Sequence, residues 1–270
     1  MPVGVLKSMF KPLNPPIKDW ANKRVWIVGA SSGIGAALAI ALLDAGARVA
    51  VSARRADKLA DLVNSHDKRE NALVVPFDVT DTEAWPLATE KVFTELGELD
   101  LVVLGAARYD PQHAWNLNMD EVRASYELNV ISMYEAVKHL TPRLLAQRHG
   151  ALAVIGSISG YTGLPRAVVY GATKSALQNF TETLYFELAP KGLGVYLISP
   201  GFVQTPMTAK NDFEMPGLMT PPQAAQAIVD GFARGQFEIR FPRGFANGLR
   251  WVSRLPYRWR FPLLHRATKQ

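Results

Sequence analysis

Arg24-Val25-Trp26-Ile27-Val28-Gly29-Ala30-Ser31-Ser32-Gly33-Ile34-Gly35-Ala36-Ala37-Leu38 joins two unlike kinds of sequence through a glycine-rich turn. Val25–Gly29 is a short, Val-rich run that reads as a strand. Ile34–Ala45 is rich in Ala and Leu, reads as a helix, and is closed by Gly46. Between them, Gly29, Gly33 and Gly35 permit a tight turn and close approach of backbone. Ser31, Ser32 and Ile34 complete a helix start whose free N–H groups can receive a pyrophosphate. No Gly-Lys-Ser/Thr follows, so the turn is not the phosphate loop of a nucleotide hydrolase.

Working outward, the same alternation recurs. Arg48–Ala53, Ala72–Phe77, Leu101–Leu104, Leu152–Gly156 and Val195–Ser199 read as strands, and Glu238–Phe241 as a possible last one. Helical stretches are Lys58–Asn64, Ala84–Leu96, Asp120–Gln147 with an interruption near Pro142, Tyr170–Leu188 and Pro222–Phe232. The strands are continuous apolar runs, not polar/apolar alternations. Such strands are covered on both faces, which predicts an α/β fold, a three-layer αβα sandwich around a mostly parallel sheet. Gly, Pro and Met concentrate at 201–222, which reads as a flexible loop inserted in one domain.

The end of the second strand addresses the dinucleotide's ribose. A free ribose diol usually meets an acid there, whereas this chain has Ser52-Ala53-Arg54-Arg55. A hydroxyl and two guanidinium forks suit a 2′-phosphate, which favours NADPH over NADH. Asp78-Val79, after the third strand, suits the adenine edge. Further along, Tyr170 and Lys174 stand four apart at a helix start and so share one face.

These features together resemble the classical short-chain dehydrogenase/reductase family over about residues 22–235. The resemblance rests on the turn at 29–35, Asp78-Val79, Asn129, Ser157, Tyr170-Gly171-Ala172-Thr173-Lys174, and Pro200-Gly201 followed by Thr205. It implies a Rossmann-like domain with a seven-stranded parallel sheet. It further implies that Tyr170 exchanges a proton with a carbonyl or alcohol oxygen, that Ser157 orients that oxygen, and that Lys174 holds the nicotinamide ribose. Asn129 would distort its helix and hold a water in the relay with Lys174. Pro200 and Gly201 would close around the nicotinamide beside Val203, with Thr205 bonding the carboxamide. A neighbouring ammonium and an oxidised nicotinamide are both expected to lower the Tyr170 pKa from its usual value near ~10. No metal is required. The family usually has Asn-Asn-Ala-Gly after the fourth strand, and Leu104-Gly105-Ala106-Ala107 stands there instead. Gly105 and Ala106 preserve small size beside the adenosine, but the amide side chains are gone. The resemblance also implies a homodimer or homotetramer, formed through the long helices at 120–147 and 170–188.

Around the reacting carbonyl, with Ser157, the expected lining is Tyr109, Tyr161, Leu164, Phe202, Met207, Phe213 and Met215. That balance favours a hydrophobic ketone or aldehyde. A steroid, a lipid-derived ketone, an aromatic carbonyl and a xenobiotic all fit. Two other readings stay open, an NAD-dependent alcohol dehydrogenase of the same family and a non-catalytic dinucleotide-binding scaffold or sensor. The scaffold would not need Asn129, Ser157, Tyr170 and Lys174 together.

The chain has 270 residues, no Cys and a formal charge of +6. The missing Cys excludes a disulfide framework and a thiolate nucleophile. The charge is uneven. Residues 240–270 hold seven Arg and one Lys without an acid, residues 1–24 sum to +4, and 25–239 sum to −6. The basic excess therefore belongs to the ends, which argues against a nucleic-acid-binding body. The expected organisation is a basic lead-in at 1–21, one catalytic domain at 22–239 and a basic aromatic extension at 240–270. Met1–Phe10 lacks the apolar run of a signal peptide. The reading is a cytoplasmic protein, with peripheral membrane contact through 240–270 open beside packing on a subunit or over the substrate cleft. Within the extension, Gly248–Leu255 has amphipathic helical spacing, and Pro256 and Pro262 are expected to break it.

Overall fold

A computed structural model describes residues 11–268, so the expectation for Met1–Phe10 lies outside the described residues. Seven strands form one parallel sheet in the order β3-β2-β1-β4-β5-β6-β7. They are β1 (Arg24–Val28), β2 (Arg48–Ser52), β3 (Ala72–Val74), β4 (Leu101–Leu104), β5 (Ala151–Ile155), β6 (Gly194–Pro200) and β7 (Glu238–Phe241). The helices are α1 (Gly33–Asp44), α2 (Ala56–Asn64), α3 (Ala84–Leu96), α4 (Met119–Tyr126), α5 (Ser132–Gln147), α6 (Tyr170–Leu188), α7 (Pro221–Ala233), α8 (Arg243–Ser253) and α9 (Tyr257–Ala267).

The apolar strand runs explain the layers. In β1, Val25 and Ile27 enter one core with Leu38 and Leu42 of α1, Leu59 of α2, and Ile228 and Phe232 of α7. Trp26 and Val28 point the other way, toward Trp85 and Val92 of α3, Leu140 of α5 and Leu177 of α6. Alternate side chains thus feed two cores, and burying each large aliphatic one contributes about 1.5–3 kcal/mol. β3 stops at Val74, short of the expected Phe77. Its backbone pairing still reaches onward, as Val75 and Phe77 donate to the Val51 and Ala53 carbonyls at 3.0 and 3.1 Å.

Two expected helix breaks fall elsewhere. Pro142 lies inside α5, on an exposed turn where the carbonyl it leaves unbonded can meet water. The actual interruption is a wide π turn at Glu127–Ile131, between α4 and α5. Pro262 likewise sits exposed within α9, whereas Pro256 does separate α8 from α9. The lead-in is docked on the sheet. Asn14 donates to the Val195 carbonyl at 2.7 Å and accepts from the Val195 amide at 2.9 Å, and Trp20 is buried edge-on against Phe232. β7 spans the 239/240 boundary, so the basic extension begins within the sheet's last strand.

The order of strands fixes where a ligand belongs. β1 leads to β2 and β3 on one side, and the chain then returns to place β4 on the other side of β1. Their following loops diverge and open a crevice beyond the strand ends, the usual ligand position in such sheets.

Candidate active site

The crevice is a cavity of about 540 Å³. At its floor, Gly29 (φ +97°) follows β1 so closely that a Cβ would lie 2.6 Å from the Ala106 nitrogen. A Cβ on Gly35 would lie 2.3 Å from the Gly29 oxygen. Both contacts are backbone and cannot yield, so only glycine allows the turn to fold back on itself and open the start of α1. Gly105 keeps the departure from Asn-Asn-Ala-Gly compact. Its amide donates to the Val28 carbonyl at 2.8 Å, and a Cβ there would meet the Ile155 side chain at 2.7 Å.

Of the residues expected at the dinucleotide, Gly29, Ser31, Ser32, Gly33, Ile34, Gly35, Arg54, Arg55, Val79, Gly105, Ala106, Pro200, Gly201, Val203 and Thr205 all border this cavity. Arg55 donates to the Ser31 hydroxyl at 2.9 Å and to that of Ser32 at 3.3 Å, which draws its guanidinium over the glycine turn. Arg54 stands 3.7 Å from Asp78. Ser52 and Asp78 are not among the lining residues. Ser52 is fully buried, and its hydroxyl accepts from the Trp26 indole at 2.8 Å inside the sheet. Asp78 turns its carboxylate onto Thr80, taking the amide and hydroxyl at 2.9 and 2.8 Å.

Ser157, Tyr170 and Lys174 line the same cavity. Ser157 ends the turn after β5, accepts from the Ser159 amide at 3.1 Å and donates to the Pro200 carbonyl at 3.4 Å. Lys174 is buried and donates to the Ile155 carbonyl at 2.8 Å, which steers its ammonium under the Tyr170 ring at 5.6 Å from the centroid. Asn129 is fully buried in the π turn. It accepts from the Arg108 amide at 2.8 Å and donates to the Arg108 carbonyl at 3.0 Å and to Thr173 at 3.1 Å. It thereby ties the loop after β4 to the first turn of α6, which carries both Tyr170 and Lys174.

In the protein without nucleotide, the electrostatics run against the effect expected of the neighbouring ammonium. Burial pushes the Tyr170 hydroxyl up to about 12, only partly countered by the Ser157 hydroxyl beside it and reinforced by Tyr109. Burial also pulls Lys174 down to about 7. The ammonium expected to lower the phenol is itself disfavoured by the same dry surroundings, so both groups move toward their neutral forms.

The substrate-side residues separate into two groups. Met207 borders the cavity, and Tyr109 packs edge-on against Tyr170 at 5.0 Å with its hydroxyl on Asn211 at 3.0 Å. Met215 accepts from the Asn211 amide, and Phe213 meets Phe202 edge-on at 5.7 Å. Tyr161 and Leu164 instead pack with Ile158, Ala246 and Leu249 in a small core under α8. The Tyr161 hydroxyl donates to Glu238, whose buried carboxylate also takes Ser199, Arg240 and Arg250. Phe202 stacks on Phe245 of α8 at 6.0 Å.

Sequence reasoning missed Ala53, Phe77, Ile155, Gly156 and Leu128, all of which border the cavity. The first four follow or end strands β2, β3 and β5, so strand ends were the available signal. Leu128 comes from the π turn, which no local pattern announced.

The profile of the family described as short chain dehydrogenase matches residues 23–215. The chain belongs to the short-chain dehydrogenase family. It is an NAD(P)-dependent oxidoreductase. An uncharacterized oxidoreductase of Myxococcus xanthus is 34% identical over 242 residues, covering 88% of this chain and 94% of that one. Human dehydrogenase/reductase SDR family member 7 is 34% identical over 202 residues, 69% of this chain and 60% of that one. A short-chain dehydrogenase from Streptomyces avermitilis superposes with a TM-score of 0.75 at 29% identity, covering 85% of this chain and 91% of that one. The family profile ends before α7, so α8 and α9 lie outside it.

Proposed function

We propose that this dehydrogenase interconverts a carbonyl and a secondary alcohol on a hydrophobic small molecule, with NADP(H) as the preferred nucleotide. The observation that carries the reading is the meeting of Ser157, Tyr170 and Lys174 in the cavity floored by the glycine turn. The residues fit a dinucleotide, because the glycine positions leave backbone room that any Cβ would fill and the α1 start faces the same space. When bound, the nicotinamide supplies or accepts the hydride.

The chain's own residues handle the proton. In reduction, the Tyr170 O–H bond breaks as the proton passes to the carbonyl oxygen, which Ser157 holds by a hydrogen bond. A phenol raised to about 12 is fully protonated near neutral pH, the form that carries the proton to be transferred. Lys174 keeps one N–H on the Ile155 carbonyl and has others to hold the ribose. Asn129 fixes the loop after β4 against the α6 start, which sets where Tyr170 stands. Arg54 and Arg55 favour a 2′-phosphate. Among proteins of similar fold, one from Burkholderia phymatum was solved with NAD and ElxO with NADP, so the fold itself is neutral on the choice.

Exposed Ile131 and Tyr134 beside the π turn and Phe186 on α6 support association of copies through these helices. Steady-state assays with a carbonyl panel test the reaction and the nucleotide together. Oxidation of NADPH is expected to be the more efficient, and Tyr170→Phe to lose turnover by at least about a hundredfold. A tenfold advantage for NADH would overturn the nucleotide preference, and near-normal turnover of Tyr170→Phe would overturn the proton transfer.

A further inference from the structure

The helices α8 and α9 have two contrasting sides. Inward, Ala246, Leu249 and Leu264 close a small core with Ile158, Tyr161 and Leu164. Arg250 is drawn in as well, onto buried Glu238 at 2.6 Å, and Arg260 donates to the Ser253 carbonyl at 2.6 Å while covering the Tyr257 ring. Arg240 is likewise held by Glu238. These contacts fix the two helices on the body and consume three of the extension's arginines.

Outward, the same helices leave Trp251, Tyr257, Trp259 and Phe261 each more than half exposed, with Leu263 close behind. Arg243, Arg254, Arg258 and Arg266 stand among them, exposed and paired with no carboxylate among the described residues. Residues 240–270 contain no acid at all. A soluble face ordinarily carries scattered apolar residues, so four large exposed aromatics on two short successive helices require an occupant. Eleven residues per helix make each about 16 Å long, too short to cross a bilayer, and no described helix is long and apolar enough to do so.

We propose that the outer face of α8 and α9 docks on an anionic lipid bilayer, lying in the headgroup layer. Trp and Tyr rings suit that layer because each joins an apolar body to a polar edge, and arginines suit its negative potential. A second copy is a poorer occupant. Self-pairing about a twofold axis would set four unpaired arginines against four others with no carboxylate between them. Nucleic acid shares the charge complementarity, but no recognisable nucleic-acid-binding module accompanies the two helices. The docking is independent of the reaction assigned above.

Co-sedimentation of the full chain with vesicles tests it, using phosphatidylcholine alone and phosphatidylcholine with phosphatidylglycerol in equal parts. Binding is expected to the anionic vesicles only, and to be lost in ~0.5 M salt. Replacing Arg254, Arg258 and Arg266 by Gln is expected to weaken partitioning about a hundredfold, at about fivefold for each charge. Trp251→Ser with Trp259→Ser should weaken it too, with thermal melting and soluble turnover unchanged because neither residue enters a core or the cavity. Failure to bind anionic vesicles at low salt would overturn the proposal, as would unchanged binding by the arginine variant. So would a larger mass in light scattering that the tryptophan variant abolishes, since the face would then join copies of the chain.

Discussion

Lys174→Met should make this enzyme more stable while stopping it. The side chain is fully buried, and burial alone draws its pKa from 10.5 to about 7. Folding therefore lowers its proton affinity, and at pH 7 the unfolded chain binds more protons than the folded one. Each unit of depression corresponds to about 1.4 kcal/mol, and with the folded group half-titrated at pH 7 the lysine withholds about 4 kcal/mol of stability. Methionine fills similar volume without a charge. It leaves the Ile155 carbonyl without the 2.8 Å donor, a loss of about 1–3 kcal/mol. The net expectation is a gain of about 1–3 kcal/mol at pH 7, or about 2–4 °C in melting temperature for each kcal/mol. The sign of the pH dependence is also fixed. Below about pH 7 both states hold the proton and the burden is full; it shrinks as pH rises toward 10.5, the unfolded value. Between ~7 and ~8.5 the gap between variant and native protein should narrow by about 2 kcal/mol. Chemical denaturation of both proteins across this range measures the gap, and the subtraction removes other titrating groups. A variant less stable than the native protein at pH 7, or a gap that ignores pH, would refute the reasoning.

Three further outcomes follow from particular contacts. Gly35→Ala should abolish dinucleotide binding, because its Cβ would fall 2.3 Å from the Gly29 oxygen; Gly163→Ala, with nothing within 4 Å, should behave as native in the same fluorescence titration. Arg250→Met removes a 2.6 Å partner of buried Glu238 and the cation over the Tyr161 ring, and should destabilise by about 1.5–3 kcal/mol. Chemical denaturation measures the loss, and a variant as stable as the native protein would show that the pair does not hold α8 on the body. In the protein without nucleotide, phenolate absorbance compared with Tyr170→Phe should show no Tyr170 ionisation below about pH 10, and a transition nearer 7 would contradict the effect of burial.

Much of the cofactor end was legible because strand ends and glycines speak locally. Val25–Val28 are continuously apolar since helices cover both sheet faces, and the glycine turn must follow since backbone meets backbone at Ala106. What stayed hidden depends on contacts distant in sequence. The resemblance implies that Asn129 distorts its helix, but not that its amide reaches Arg108 and Thr173, nor that the helix stays whole at Pro142, which faces water. Closeness to Ser157 in sequence places Tyr161 and Leu164 at the substrate. The structure packs them under α8, a helix some ninety residues later whose place no local pattern gives. Ser52 reads from sequence as available to a phosphate, but the Trp26 indole claims its hydroxyl.

The same dependence on surroundings explains the phenol's upward shift in the protein without nucleotide. Counting charges along the sequence places an ammonium one helical turn from Tyr170 and predicts an acidified tyrosine. In the folded protein the lysine reaches that position only by leaving water, so the ammonium and the phenolate are both penalised. What the fold builds is a pair held near neutrality, a protonated phenol above an amine that titrates close to physiological pH. Such a pair keeps the phenol in its proton-bearing form, and the stability withheld by Lys174 is the energetic trace of the same burial. Removing the lysine should therefore release stability and function in opposite directions, whereas a lysine present only to support the fold would lose both together.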